Sequence, residues 1–423
     1  MKIRIPKGTR DMLPEEAHKW HYVENLARRL THLGGYREVR TPVFEHTELF
    51  QRGVGDTTDV VQKEMYTFED RGNRSMTLKP EGTAGVVRAF VESGLAQGPL
   101  PVKMYYLTPV FRYEKPQSGR LREHHQFGVE IFGAGEPSMD AEVIALGSRF
   151  LHEAGLRKIQ LKLNGIGCPV CRPGYQKALQ EYFRASEESL CSTCRERLET
   201  NPMRILDCKV PSCRPVAEGA PVMLDYLCDD CREHFDAVRK CLEAIGIPFS
   251  VDPHIVRGLD YYTRTVFEFV SDSIGAQGTV LGGGRYNGLV SQLGGPELPG
   301  IGFGMGIERL LLTLEAEGVS IPAPPYLEAY VTVRGALPER EEALKIVEGL
   351  RSEGIACDMD HTGRSLKAQF KYADKLHVPY VLTLGEEEYR QGTVRIRNMA
   401  DGREDTVQAA QAAARIRQER ENG

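Results

Sequence analysis

Eight of the ten cysteines in this chain are crowded between Cys168 and Cys231. They fall into close pairs: Cys168/Cys171, Cys191/Cys194, Cys208/Cys213 and Cys228/Cys231. Three pairs have the CxxC spacing, and the fourth has four intervening residues. A CxxC turn can aim two thiolates at one point, and Zn²⁺ takes four ligands in a tetrahedron. Eight thiols therefore suit two closed, structural zinc sites with no open catalytic position. The simplest assignment joins the first two pairs and the last two, and interleaving is equally allowed. The competing readings are eight buried, unligated thiols, Fe–S ligation, or the remnant of an ancestral site. Unligated thiols would have no need of pairing at these spacings.

A secreted, disulfide-rich protein would also be cysteine-dense. The length of 423 residues and the absence of a signal-like apolar run in Met1–Leu13 argue against that, so a reducing, cytoplasmic setting is expected. No run of about 18 or more apolar residues occurs, so no membrane-spanning helix is expected. With 41% hydrophobic and 27% charged residues, a soluble globular protein is the default. The net charge of −5 carries no global polybasic signature, so any nucleic-acid contact must come from local patches.

Periodicity divides the rest of the chain. Tyr22, Val23, Leu26, Leu30 and Leu33 recur at helical spacing, predicting a helix over Pro14–Leu33 that ends at Gly34–Gly35. Strands are predicted over Val102–Leu107, Gln126–Phe132, Thr263–Val270 and Gly300–Gly306, the last running into a helix over Ile307–Glu315. The cysteine-rich, helical stretch lies between strand-rich segments and so reads as an insertion. Ile321–Pro325 is a stiff, proline-rich linker. Beyond it, strand and helix patterns alternate: Ala329–Val333, Glu339–Glu353, Cys357–Met359, Ser365–Leu376 and Tyr380–Leu384. A charged helix is predicted over Val407–Glu421.

Several segments have chemical promise. In a strand, Gln126, Gly128 and Glu130 share one face, while Phe127, Val129 and Ile131 share the other. Arg112 and Glu114 are expected to share a face of the preceding strand. Arginine there can grip a phosphate or carboxylate with two parallel hydrogen bonds. Gly300-Ile-Gly-Phe-Gly-Met-Gly306 puts its glycines on one face, bare enough for a flat ring to lie against the backbone. Arg257-Gly-Leu-Asp-Tyr-Tyr262 suits a polar ligand. The bland readings are an ordinary hairpin, close strand packing and a loop ion pair.

Together these segments resemble a known family. Arg40-Thr-Pro-Val-Phe44, Pro80-Glu-Gly-Thr83, Phe111-Arg-Tyr-Glu114 and Gly300–Arg309 resemble, in order, the motifs of class II aminoacyl-tRNA synthetases. Arg257-Gly-Leu-Asp-Tyr-Tyr262 and Gly283-Gly-Arg-Tyr286 resemble two signatures particular to histidyl-tRNA synthetases. The likeness runs from Pro6-Lys-Gly-Thr-Arg-Asp11 to the C-terminal region. Lys115 and His124 stand where the family commonly has arginine and phenylalanine, and Asn287 where aspartate is common.

The resemblance implies an α+β fold: an antiparallel-sheet catalytic core (1–166 and 243–320), the insertion (167–242), a linker (321–325) and an α/β anticodon-binding domain (326–423). It implies activation of L-histidine by ATP with Mg²⁺, transfer to histidine tRNA, and a homodimer with its interface near Pro42. Arg112 and Arg309 would bind the ATP phosphates, with Glu114 beside them. Arg257 would stabilise the α-phosphate and the histidine carboxylate. Glu81, Gly82, Thr83, Arg112, Gln126, Glu130, Arg257, Tyr261 and Tyr262 would hold histidine. Arg364, Lys367, Lys371 and Lys375, spaced along one predicted helix, are RNA-facing candidates, with a solvated helix face as the bland reading. The rival is a non-catalytic, synthetase-like regulatory subunit of ATP phosphoribosyltransferase. That reading sits poorly with the three arginines and the residues beyond Pro325.

Overall fold

The computed structural model describes residues 3–55, 58–117, 119–208, 210–274 and 278–422. Ser118, within the basic loop Lys115–His125, lies outside them. The chain divides into two compact units, Met1–Ile321 and Pro322–Gly423.

The first unit is built on an eight-stranded sheet. Its spatial order is Arg37–Glu38, Val102–Phe111, Glu123–Phe132, Gly300–Gly306, Thr279–Arg285, Thr263–Ser271, Ile159–Gly165 and Ser250–Val251. Only the two edge pairings are parallel; the strands between them are antiparallel. The glycine-alternating strand is central. Ile301, Phe303 and Met305 point to one face and are buried with Phe127, Val129, Phe267 and Leu281. Helices Pro14–Leu33, Pro137–Ala154, Asp229–Ala244 and Ile307–Ala316 cover that face. The first forms with the predicted bounds: Pro14 needs no N–H at the first turn, and Trp20, Val23, Leu26, Ala27 and Leu30 make the buried stripe. Each large apolar side chain buried here contributes about 1.5–3 kcal/mol. The opposite face is left for the site.

Between Ile159–Gly165 and Thr263–Ser271 the chain makes the cysteine-rich excursion. Helices Arg172–Arg184, Ser192–Thr200 and Arg214–Glu218 wrap a small core of Tyr175, Leu179, Phe183, Leu198, Ile205 and Met223. Helix Asp229–Ala244 starts in this core at Cys231 and ends in the main one, through Phe235, Val238 and Leu242. A separate three-stranded sheet, Phe44–His46, Ser75–Leu78 and Tyr66–Glu69, leaves Val43, Phe44 and Phe68 exposed.

The second unit has a five-stranded sheet in the order Cys357–Met359, Ala329–Val333, Tyr380–Leu384, Thr393–Asn398, Glu404–Gln408. The first three are parallel, and the last two form an antiparallel hairpin. Here the sequence reading needs correction. Val407 pairs with Val394 in the edge strand, and the terminal helix is confined to Ala412–Asn422. Glu404–Gln408 carries a single apolar residue, so it shows no period-2 signal. No described helix is long and apolar enough to cross a membrane.

Candidate active site

The open face of the sheet carries the even-numbered residues of its central strands. Gly302 faces Glu130, and Gly304 faces Gln126: a methyl at either glycine would come within 2.1 Å of Glu130 Oε2 or 2.4 Å of Gln126 Nε2. Gly300 likewise clears the ring of Tyr286, and Gly282 clears the guanidinium of Arg257. The glycines therefore make room for neighbouring polar side chains. The face read as bare enough for a flat ring is thus partly filled by these side chains. The strand stays open only toward Gly304 and Gly306, which border the cleft described below.

At the closed end, Glu130 is buried and accepts hydrogen bonds from Thr83 Oγ1 (2.6 Å), Tyr106 Oη (3.3 Å) and the Tyr286 hydroxyl. Burial pushes its carboxyl up to about 8, against the lowering pull of the Thr83 and Tyr286 hydroxyls. Glu81 is also buried. Its carboxylate accepts the backbone N–H groups of Thr83 (2.8 Å) and Ala84 (2.7 Å), so it caps the helix Thr83–Glu92. Burial raises its pKa, although those two N–H groups pull the other way. Gly82 N donates to Gln126 Oε1 at 3.0 Å. The rings of Tyr261 and Tyr262, tilted at 49°, lie 4.6 Å apart beside this group, and Tyr261 meets Tyr286 edge-on at 5.7 Å. The result is a small, buried polar cluster walled by tyrosines.

Through Gln126 this cluster adjoins an open cleft of about 790 Å³ bordered by Arg112, Arg257 and Arg309, with Glu114 and Glu308. Arg112 and Glu114 do not lie on the strand, which ends at Phe111; they follow it in a loop where Glu114 N donates to Arg112 O at 2.8 Å. Arg112 N still donates to Arg122 O at 2.8 Å, and the ladder ends at Tyr113, whose N–H turns to Glu64 O at 2.6 Å. Arg112 Nε is steadied by Pro80 O at 2.8 Å. Arg257 pairs with Glu268, and its Nε is buried with no hydrogen-bond partner among the described residues. Arg309 Nη1 donates to Thr279 O at 3.0 Å. His124 also borders this cleft. Burial first, and then the charge of Arg112, push its pKa down to about 3, so its ring is neutral at ordinary pH.

The signature Gly283-Gly-Arg-Tyr286 is split by strand alternation. Tyr286 reaches Glu130, while Arg285 points into the helix layer and is fully buried. Arg285 Nε donates to Asp140 Oδ2 at 2.7 Å, and its other nitrogens reach Ala134 O and Glu136 O at 2.9 Å. His234 Nε2 lies 3.2 Å from Asp140 Oδ1. Breaking such a buried pair costs about 3–5 kcal/mol, so this arginine is structural. Tyr106, Glu268 and Tyr286 contact site residues but were absent from the residue set read from sequence. Tyr106 was detectable by parity, since it stands opposite Gly128 on the strand pair.

The cysteines form two four-sulfur groups, Cys168/Cys171/Cys228/Cys231 and Cys191/Cys194/Cys208/Cys213, with all sulfurs of a group within 4.8 Å of one another. Representative separations are 3.6 Å (Cys168–Cys171), 3.9 Å (Cys168–Cys228) and 3.9 Å (Cys191–Cys208). Four sulfurs at 2.3 Å around a tetrahedral Zn²⁺ stand about 3.8 Å apart. The first and last pairs meet, enclosing the middle two. This replaces the simpler joining of consecutive pairs. Cys168/Cys171 follows strand Ile159–Gly165 and Cys228/Cys231 opens helix Asp229–Ala244, where Cys228 N donates to Cys171 Sγ at 3.2 Å.

In the second unit, Lys367, Lys371 and Lys375 are exposed on helix Leu366–Lys375. Arg364 precedes that helix, and its guanidinium lies 4.2 Å from the Tyr372 ring.

The family profile described as histidyl-tRNA synthetase matches residues 8–169 and 216–310, and an anticodon-binding-domain profile matches 331–419. The unmatched stretch between the first two segments holds the inner cysteine pairs. The chain is 54% identical over 411 residues to a histidine–tRNA ligase of Caldanaerobacter subterraneus subsp. tengcongensis, covering 96% of this chain and 97% of the relative. It is 52% identical to the histidine–tRNA ligase of Acetivibrio thermocellus, covering 99% and 100%. The apo crystal structure of S. aureus histidyl-tRNA synthetase superposes with a TM-score of 0.84 at 39% identity, covering 98% and 100%.

Proposed function

This chain belongs to the histidyl-tRNA synthetase family, and from that premise we propose how its residues perform the reaction of a histidine–tRNA ligase. It is an aminoacyl-tRNA synthetase, with histidine, ATP and tRNA as substrates. Relatives named histidine–tRNA ligase match nearly the whole chain, which disfavours the regulatory-subunit reading.

The observation that carries the mechanism is the convergence of Arg112, Arg257 and Arg309 on one cleft beside a buried two-carboxylate pocket. The histidine carboxylate attacks the α-phosphorus of ATP and pyrophosphate leaves. Two anions must approach, so fixed positive charge aimed at the developing charge is the main requirement. Arg112 and Arg257 hold the carboxylate and α-phosphate, and Arg309 holds the terminal phosphate, with Glu114 beside the nucleotide. Oxygen donors of the kind Mg²⁺ takes border the cleft at Glu114 and Glu308. When bound with ATP, the ion would supply positive charge to the phosphates. Glu81, Gly82, Thr83, Gln126, Glu130, Tyr261 and Tyr262 form the histidine pocket, in which Glu130 and Gln126 meet the imidazole nitrogens. The adenylate then passes its histidyl group to the 3′ end of tRNA. No protein nucleophile is required.

The finer assignments follow from the same premise. Each four-cysteine group holds one structural Zn²⁺; the sulfur spacing supports tetrahedral thiolate ligation. The chain acts in the cytoplasm as a homodimer through the region near Pro42, where exposed Val43, Phe44 and Phe68 support an apolar interface. The experiment for the catalytic reading is ATP–pyrophosphate exchange with histidine, run on the protein and on Arg257→Ala. The variant is expected to fold and to lose at least about 10²-fold in rate. Near-normal exchange by the variant would show that Arg257 does not stabilise the transferring phosphoryl group.

A further inference from the structure

The insertion grips the loop that brings Arg257, Tyr261 and Tyr262 to the histidine pocket. Arg257–Tyr262 is neither helix nor strand before it enters Thr263–Ser271. Its polar groups are held from outside. Arg172 Nη2 donates to Tyr262 O. Arg204 Nη2 donates to Gly258 O at 2.6 Å and reaches Asp260 Oδ1 at 3.3 Å. Asn201 Nδ2 lies 3.4 Å from the same carboxylate oxygen. Directly after the loop, Arg264 has φ +53°, a region unfavourable for a residue with a side chain. Two backbone hydrogen bonds hold it there: Ile166 N to Arg264 O at 2.7 Å, and Arg264 N to Gly167 O at 2.8 Å.

These holding groups stand beside or between the cysteine pairs in the chain. Gly167 immediately precedes Cys168. Arg172 immediately follows Cys171, and its N–H donates to Cys168 O at 3.1 Å. Asn201 and Arg204 lie on the short connection between the Cys191/Cys194 and Cys208/Cys213 pairs. The insertion's own apolar core is small, so closure of its cysteine groups bears heavily on where these side chains stand. Neither Arg172 nor Arg204 borders the cleft of Arg112 and Arg309.

Resting on the metal reading above, we infer that the insertion is a metal-dependent clamp on the histidine pocket. The ligated cysteines fix Arg172, Asn201 and Arg204. These positioning residues hold the loop so that Arg257, Tyr261 and Tyr262 meet histidine. The clamp acts mainly on the amino-acid side of the site: Tyr261 and Tyr262 face histidine, Arg112 and Arg309 stand on other elements, and a disturbance of Arg257 at the α-phosphate is read in kcat. A merely structural insertion would change the amount of active enzyme, lowering kcat and leaving both KM values in place.

The test uses full-length Arg172→Ala, Arg204→Ala and Arg204→Lys. KM for histidine and for ATP is measured by pyrophosphate exchange, and zinc is measured on the same samples. The expected result is near-normal zinc, KM for histidine raised about tenfold in the alanine variants, and KM for ATP within about twofold of the parent. Arg204→Lys should recover part of the loss. Removing zinc from the parent protein with a chelator should raise KM for histidine in the same direction, and added zinc should restore it. Unchanged histidine KM in zinc-loaded alanine variants, or an equal rise in both KM values, overturns the clamp. Protein that has lost its zinc yet keeps its histidine KM overturns the metal dependence. Untreated protein containing neither zinc nor iron would instead defeat the metal reading itself, a failure distinguishable from unchanged KM in loaded variants.

Discussion

Glu130 shows how one side chain ties stability to binding. Among the described residues its hydrogen-bond partners are the hydroxyls of Thr83, Tyr106 and Tyr286. With a folded pKa of about 8 against an ordinary 4.5, the carboxyl holds its proton longer folded than unfolded. Its contribution is therefore whole below about 4.5 and erodes as pH rises toward 8, since the unfolded chain releases that proton first. Glu130→Gln removes the erosion. Its melting temperature, relative to the parent, should rise steadily from pH 5 to pH 8 (the range inside that window). A constant difference across the range would mean Glu130 is already ionised in the folded protein. At this scale much of the site was legible from strand parity. Gln126 and Glu130 share a face as read, and Phe127 and Val129 share the core. What parity of one strand does not reveal is what lies opposite. The cross-strand fit of Gly302 to Glu130, and the burial of Arg285 on Asp140, depend on pairings between distant segments.

At the scale of elements, the cysteine excursion and the glycine strand teach opposite lessons. Gly300–Gly306 is a strand with the bounds read from its alternation, because period 2 is a local property. The CxxC spacings are local too, and each pair does converge. Which pairs join is a long-range matter: the outer two meet because helix Asp229–Ala244, which Cys228/Cys231 opens, packs near strand Ile159–Gly165, which Cys168/Cys171 follows. This pairing has a direct consequence for metal content. The parent should carry about two zinc ions per chain. Cys168→Ser with Cys228→Ser should remove one ion, and Cys168→Ser with Cys191→Ser should remove both. Loss of both ions from the first double variant would contradict the nested arrangement. The hairpin Thr393–Asn398/Glu404–Gln408 was missed for a physical reason: a charge-rich edge strand earns its place by pairing with its neighbour, not by an apolar face.

At the scale of the whole molecule, the two units have separate apolar cores, one around Phe127 and Phe303 and the other around Val331 and Leu382. The adenylation residues all lie in the first unit. A chain ending at Ile321 should accordingly keep histidine-dependent pyrophosphate exchange while charging tRNA far more slowly. Equal loss of both steps would assign the second unit a folding role. The order of the synthetase-like motifs was readable because each is a short, local string. Their convergence on one face of a sheet was an implication of family likeness, since it depends on strand order. The most direct test of the central claim is to incubate the full-length protein with ATP, Mg²⁺, unfractionated tRNA and one radiolabelled amino acid at a time. The expected result is label attached to tRNA with histidine and not with unrelated amino acids. No attachment of histidine, or equal attachment of unrelated amino acids, would contradict the account.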